Sequence, residues 1–271
     1  MQNNRIVNAF AELKSAGKKT LVPFLTAGYP DLQATADILA DVERRGVRVC
    51  ELGIPFSDPI ADGPVIQASY TAALADGVTL AKIFETVRSY RQAGGAMALL
   101  AMVSYSIVFR HGVERFCDEA AQAGFDGLIV PDLPMGQGEV FPPIAEAAGL
   151  CNVMLIAPST PEDRKVAIAR QSTGFVYYIS IAGITGERTK LPPETIAAVA
   201  ELEEHTDTPI CVGFGISNAE TVAEVCKAAD GAIVGSAIIH RINDARAKKL
   251  PRDEIVKIVG QFVGELIEPV L

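Results

Sequence analysis

A glutamate and two aspartates lie close together in ELGIPFSDPIADGPVIQ, residues 51–67. Glu51 stands near the end of an apolar run over residues 47–52, and Asp58 and Asp62 follow in a loop punctuated by three prolines and two glycines. Proline fixes φ and removes a backbone donor, so such a loop is stiff and holds its side chains in place. Carboxylates held close together shift one another's pKa, which suits acid–base chemistry. Leu52 and Ile54 flank Glu51, so partial desolvation should favour its protonated form, whereas Asp62, in a polar, proline-bounded turn, should stay ionised. A solvated acidic turn is the competing reading, and the company the segment keeps decides between them.

Further polar and glycine-rich residues recur at strand ends. Asp132 follows the fourth apolar run and Tyr177 lies within the sixth; Ala182-Gly183-Ile184-Thr185-Gly186, Gly213-Phe214-Gly215-Ile216-Ser217 and Gly235-Ser236-Ala237 follow the sixth, seventh and eighth. Glycines let backbone N–H groups approach an anion, and a helix N-terminus adds its dipole, so Gly215, Gly235 and Ser236 suit a phosphate. Taken singly, each of these is also an ordinary tight turn. The loop over 182–193, with Glu187, Arg188 and Lys190, is long for a connection of this kind. It is either a lid that excludes water or a mobile surface loop. Phe24, Leu155, Tyr177 and Phe214 would line an apolar slot for a flat substrate or simply fill the core.

The elements that must position these residues are legible from periodicity. Residues 5–16 have helical spacing, with Ile6, Phe10 and Leu13 on one face. Strands are predicted over 20–25, 47–52, 98–103, 127–130, 152–156, 174–181, 209–212 and 231–234. Helices are predicted from the Asp31 cap to 45, then over 79–91, 113–123, 140–148, 161–171, 193–204, 219–228 and 253–267. Apolar strands without period-two alternation are buried on both faces, and helical crossovers require parallel pairing. Eight such units over about 250 residues predict a (β/α)₈ TIM barrel with an extra N-terminal helix. An open doubly wound sheet is the alternative, but no dinucleotide-type glycine fingerprint follows the first strand. No Gly-, Pro- or Ser-rich linker divides the chain, so a single domain over 1–271 is expected.

Composition narrows the function classes. A net charge of −9 with no block of like charge argues against a nucleic-acid or anionic-membrane surface. The five cysteines show no CxxC spacing and the three histidines no ligand spacing, so inert thiols in a reducing cytoplasm, and no metal, are expected. The longest apolar run, over 96–109, is too short for a bilayer span, which needs about twenty residues.

Six segments in order, PFLTAGYP (23–30), ELGIPFSDPIADGPVIQ (51–67), VPDLP (130–134), AGITG (182–186), GFGIS (213–217) and GSAI (235–238), closely resemble the tryptophan synthase α-subunit family. The resemblance implies a barrel enzyme that cleaves indole-3-glycerol phosphate to indole and glyceraldehyde 3-phosphate by a retro-aldol reaction. It implies Glu51 as the general acid–base residue and Asp62 as the partner of the indole N–H. Tyr177 would line the site with Phe24 and Phe214, Thr185 would sit on the closing lid, and Gly186, Gly215, Gly235 and Ser236 would hold the phosphate. It also implies a tryptophan synthase β subunit as partner, in an α2β2 complex. Pyridoxal phosphate is expected on that subunit and no cofactor on this chain. One segment departs from the pattern: where the family reads M-x-Y-x-N-P, this chain has Met102-Val103-Ser104-Tyr105-Ser106-Ile107. In the family that rim faces the partner.

Overall fold

The structure, a computed structural model, describes residues 3–60, 62–133, 137–180, 192–213 and 215–271. Eight parallel strands close into a barrel in chain order: β1 (Thr20–Thr26), β2 (Val49–Gly53), β3 (Ala98–Met102), β4 (Gly127–Ile129), β5 (Cys151–Ile156), β6 (Val176–Ile179), β7 (Ile210–Gly213) and β8 (Gly231–Val234). β8 returns to β1 with Val22 opposite Ile233, so no sheet edge is left. This is the (β/α)₈ barrel, and the open sheet is excluded. Around it run α1 (Arg5–Ser15), α2 (Leu32–Arg44), α3 (Pro64–Ala75), α4 (Leu80–Gln92), α5 (Tyr105–His111), α6 (Val113–Ala123), α7 (Phe141–Ala147), α8 (Glu162–Gln171), α9 (Pro193–Glu203), α10 (Ala219–Val225), α11 (Ser236–Ala247) and α12 (Arg252–Ile267).

Three of these helices, α3, α5 and α11, are additions to the predicted set. α3 carries no charged residue and is apolar on nearly every face, so it shows no amphipathic stripe. α5 has only seven residues, and α11 begins within the turn read as an anion site. The predicted strand over 174–181 starts instead at Val176, because Gly174 has φ +84°. A Cβ there would also come within 3.0 Å of Ile6 Cγ2, so the position is a left-handed turn reserved for glycine.

Helix α1 plugs one end of the barrel. Ile6, Ala9 and Phe10 join Val22, Val49, Leu100, Ile129, Val153, Phe175 and Ile233 in a single buried cluster, with the Phe10 and Phe175 rings 5.7 Å apart. Asn4 caps the helix by accepting from the Ile6 N–H (2.9 Å) and donates its amide to the Asp126 and Gly149 carbonyls at 2.6 and 3.0 Å. Beside it the buried Asp126 carboxylate accepts from Arg5 (2.9 Å), Arg91 (2.8 Å) and the Leu99 N–H (2.8 Å). This clamp ties α1 and α4 to the strand starts. With that end filled, the barrel mouth at the C-terminal strand ends is the place to look for a small-molecule site.

Candidate active site

Side chains alternate along a strand, and the register sends one set into the barrel mouth. Val49 belongs to the inner cluster, so Glu51 and Gly53 on β2 also point inward. Phe24 lies opposite Glu51 on β1, and Leu155 on β5 lies opposite Tyr177 on β6. The mouth therefore gathers Phe24, Glu51, Leu155 and Tyr177, all four anticipated from the sequence.

Glu51 is 1% exposed, and among the described residues neither carboxyl oxygen has a hydrogen-bond partner. A buried charge without donors is costly, so the group takes up a proton: burial pushes its pKa from 4.5 to about 8. Orphaned buried carboxyl oxygens aimed into a barrel mouth are an expensive feature that packing alone does not justify.

Asp62 sits on the loop leaving β2. Gln67 in the first turn of α3 fixes that loop by donating to the Asp62 carbonyl (2.9 Å) and the Pro59 carbonyl (3.1 Å). The loop thus owes its rigidity to Gln67 as well as to its prolines. The Asp62 side chain is half-buried, and its pKa rises from 3.8 to about 6, first through burial and then through the nearby charge of Asp132. At neutral pH the pair therefore consists of a protonated Glu51 and an ionised Asp62. Asp58 is exposed and hydrogen-bonds Ser57 (2.7 Å), which is the ordinary acidic-turn arrangement.

A cleft opens beside Asp62, with Ile54, Tyr70, Met102, Ser104 and Asp132 in its walls. Asp132 accepts from the Ser104 hydroxyl (2.6 Å) and the Tyr105 N–H (2.7 Å), so it caps α5 and joins the third and fourth loops. Ser104, in the segment that departs from the family pattern, thus has a definite task. Tyr70 was not anticipated. Its signal lay in Pro64 as a first-turn residue and in Ile66, Ser69, Tyr70 and Ala73, whose spacing buries one face of α3.

The glycine turns meet on the opposite side of the mouth. Gly213 pairs with Ile233, so the loop after β7 runs beside the one after β8. Gly215 has φ +27°, and Gly235 caps the twelve-residue α11, whose first turn begins at Ser236 and has no side-chain cap. The first N–H groups of such a helix have no intrahelical acceptor, and its dipole presents positive charge there. A Cβ on Gly213 would lie 2.9 Å from the Tyr177 hydroxyl, so that glycine makes room for the tyrosine. Thr185, Gly186 and Phe214 lie outside the described residues, as does the loop 182–193 up to residue 191.

All five cysteines are buried and free. Among the described residues no group of three or more His, Cys, Asp and Glu side chains could hold a metal ion, and no helix is long and apolar enough to cross a membrane.

Comparison with known proteins agrees with this geometry. The family model described as "Tryptophan synthase alpha chain" matches residues 10–264. A tryptophan synthase alpha chain from Rhodopirellula baltica is 45% identical over 260 residues, covering 94% of this chain and 93% of its own. The crystal structure of tryptophan synthase subunit alpha from Legionella pneumophila superposes with a TM-score of 0.89 at 32% identity, covering 98% of both chains. A structure of Mycobacterium tuberculosis tryptophan synthase gives a TM-score of 0.87 at 31% identity, again covering 98% of both chains. A glutamate held protonated in a barrel mouth, and relatives of this identity along almost the whole length, place the chain in the tryptophan synthase alpha chain family.

Proposed function

We propose that this chain is a carbon–carbon lyase that cleaves indole-3-glycerol phosphate to indole and glyceraldehyde 3-phosphate in tryptophan biosynthesis. The observation that carries the reading is Glu51, buried in the mouth of a barrel of this family with no hydrogen-bond partner among the described residues, where burial favours its protonated form. Cleavage requires a proton at indole C3 and removal of the proton on the adjacent glycerol hydroxyl. Glu51 gives its proton to C3, and the carboxylate so formed takes the hydroxyl proton as the carbon–carbon bond breaks to leave an aldehyde. The electron pair of the broken bond restores the aromatic ring, and Glu51 ends protonated, ready for the next turnover.

Protonation at C3 puts positive charge on the ring nitrogen. Asp62, ionised at neutral pH, accepts the N–H and stabilises that charge as it develops. The N–H groups at Gly215, Gly235 and Ser236 hold the phosphate, aligning the bond to be broken. Phe24, Leu155, Tyr177 and Phe214 form the apolar walls of the slot, Thr185 belongs to the loop that closes over it, and Gly186 joins the groups that hold the phosphate. These steps ask for no cofactor in this chain.

We further assign a tryptophan synthase β subunit, the carrier of pyridoxal phosphate, as partner in an α2β2 complex in the cytoplasm. Ile60 (87% exposed), on the loop after β2, and Phe109 (70% exposed), on α5 after β3, offer apolar surface on the rim where such a subunit would receive indole. The chain contains no tryptophan, so released indole is visible by fluorescence without protein background. Incubation of the purified chain with indole-3-glycerol phosphate should release indole and glyceraldehyde 3-phosphate in equal amounts. Absence of both products, with and without a β subunit, would overturn the reading.

A further inference from the structure

The mouth holds a second phenol besides Tyr177. Tyr70 lies on α3, and its neighbour Ser69 fixes the helix against the barrel through a buried 2.6 Å hydrogen bond to Thr26 at the end of β1. The Tyr70 ring is 3% exposed and lines the cleft with Asp62 and Asp132. A Cβ on Gly53 would lie 2.6 Å from the Tyr70 hydroxyl and 2.4 Å from Phe24 Cζ. Gly53 is therefore a glycine so that the phenol can enter the mouth, one inward position beyond Glu51 on β2.

Among the described residues Tyr70 and Asp62 act on each other through charge, with no hydrogen bond joining the hydroxyl to the carboxylate. A buried phenol is a donor in search of an acceptor. Burial, then the charge of Asp62, then that of Glu51, hold its pKa well above the usual range, so the hydroxyl keeps its proton. The acidic groups around it come from several elements: Glu51 from β2, Asp62 and Asp58 from the following loop, and Asp132 after β4. Asp132 is already engaged by Ser104 and Tyr105, and Asp58 by Ser57. Tyr177 faces the same pair from β6, with Glu51 as its leading charged neighbour, whereas Asp62 leads for Tyr70.

We propose that Tyr70 is a further positioning residue for the cleavage: once substrate fills the cleft, its hydroxyl donates to Asp62 and keeps that carboxylate charged and turned toward the ring N–H. Filling the cleft excludes water from a carboxylate that burial and Asp132 already push toward protonation, and a donated hydrogen bond opposes this. The inference rests on the role given to Asp62 above.

The test is Tyr70→Phe, which keeps the ring and removes only the hydroxyl. Losing a donor to the charged form raises the Asp62 pKa in the substrate complex, so the acid limb of the kcat profile should move up by about one pH unit. Turnover at neutral pH should fall about ten- to a hundredfold, the range for a hydrogen bond to a charged group. In an Asp62→Asn background the same change should cost less than about twofold, because the two groups act as one unit. An unmoved acid limb, or an undiminished loss in that background, overturns the assignment, since a packing role predicts both. Failure of the underlying reading looks different: Asp62→Asn alone would then turn over like wild type.

Discussion

Because burial raises the Glu51 pKa from 4.5 to about 8, the folded chain holds a proton there that the unfolded chain releases. Between those values the native state binds more protons, so stability falls as pH rises, by about 1.4 kcal/mol per unit for this one group. The stabilisation is whole below about pH 4.5 and lost by about pH 8, a span of roughly 3.5 units or about 5 kcal/mol. At pH 7 about 3 kcal/mol of it has gone. Glu51→Gln carries no titrating group, so this dependence disappears while nearly the same volume is kept. The stability of the variant minus that of wild type should therefore climb with a slope of about 1.4 kcal/mol per pH unit from about pH 5 to 8, then level off. The slope is the diagnostic, because the amide's own hydrogen bonding adds only a constant. Equilibrium urea unfolding of both proteins across that range measures it. A difference that does not change with pH would mean that Glu51 is ionised in the folded protein, and the acid role would go with it.

Other consequences are open to direct measurement. The kcat/KM profile should be bell-shaped: activity falls as pH drops through about 6, where Asp62 takes a proton, and as pH rises through about 8, where Glu51 loses one. Asp62→Asn should abolish the acid limb and lower turnover throughout. Gly235→Val should fold, since a Cβ there meets Phe24 Cβ at an ordinary 3.5 Å, yet lose glycerol phosphate binding by calorimetry as its side chain enters the anion's space. Asp126→Ala, which removes the buried carboxylate from half-buried Arg91 and leaves the Leu99 N–H without its acceptor, should cost about 1–3 kcal/mol in urea unfolding and leave the turnover of folded protein unchanged.

The barrel was legible because its strands are apolar on both faces and its main helices carry caps such as Asp31 and Thr79. α3 escaped because it is uncharged and its exposed positions are mostly apolar or small, so no polar stripe marks its period, and Tyr70 was missed with it. Glu51 could be read because one carboxylate in an apolar strand contradicts its surroundings. The upward shift of Asp62 could not, since it depends on Asp132, seventy residues away in the chain and adjacent only once β2 and β4 curve into one mouth. Nor did the turn sequence reveal that Gly53 and Gly213 make room for the two phenols, because a glycine's neighbour in space is not written beside it.

The most direct test of the central claim is turnover of indole-3-glycerol phosphate by Glu51→Gln, followed by indole fluorescence, with substrate affinity measured separately. The account predicts a loss of at least about 10²–10⁴ in turnover with binding nearly intact, because the amide fills the same space but transfers no proton. Retention of more than about a tenth of wild-type turnover, below the range of general acid–base catalysis, would contradict it.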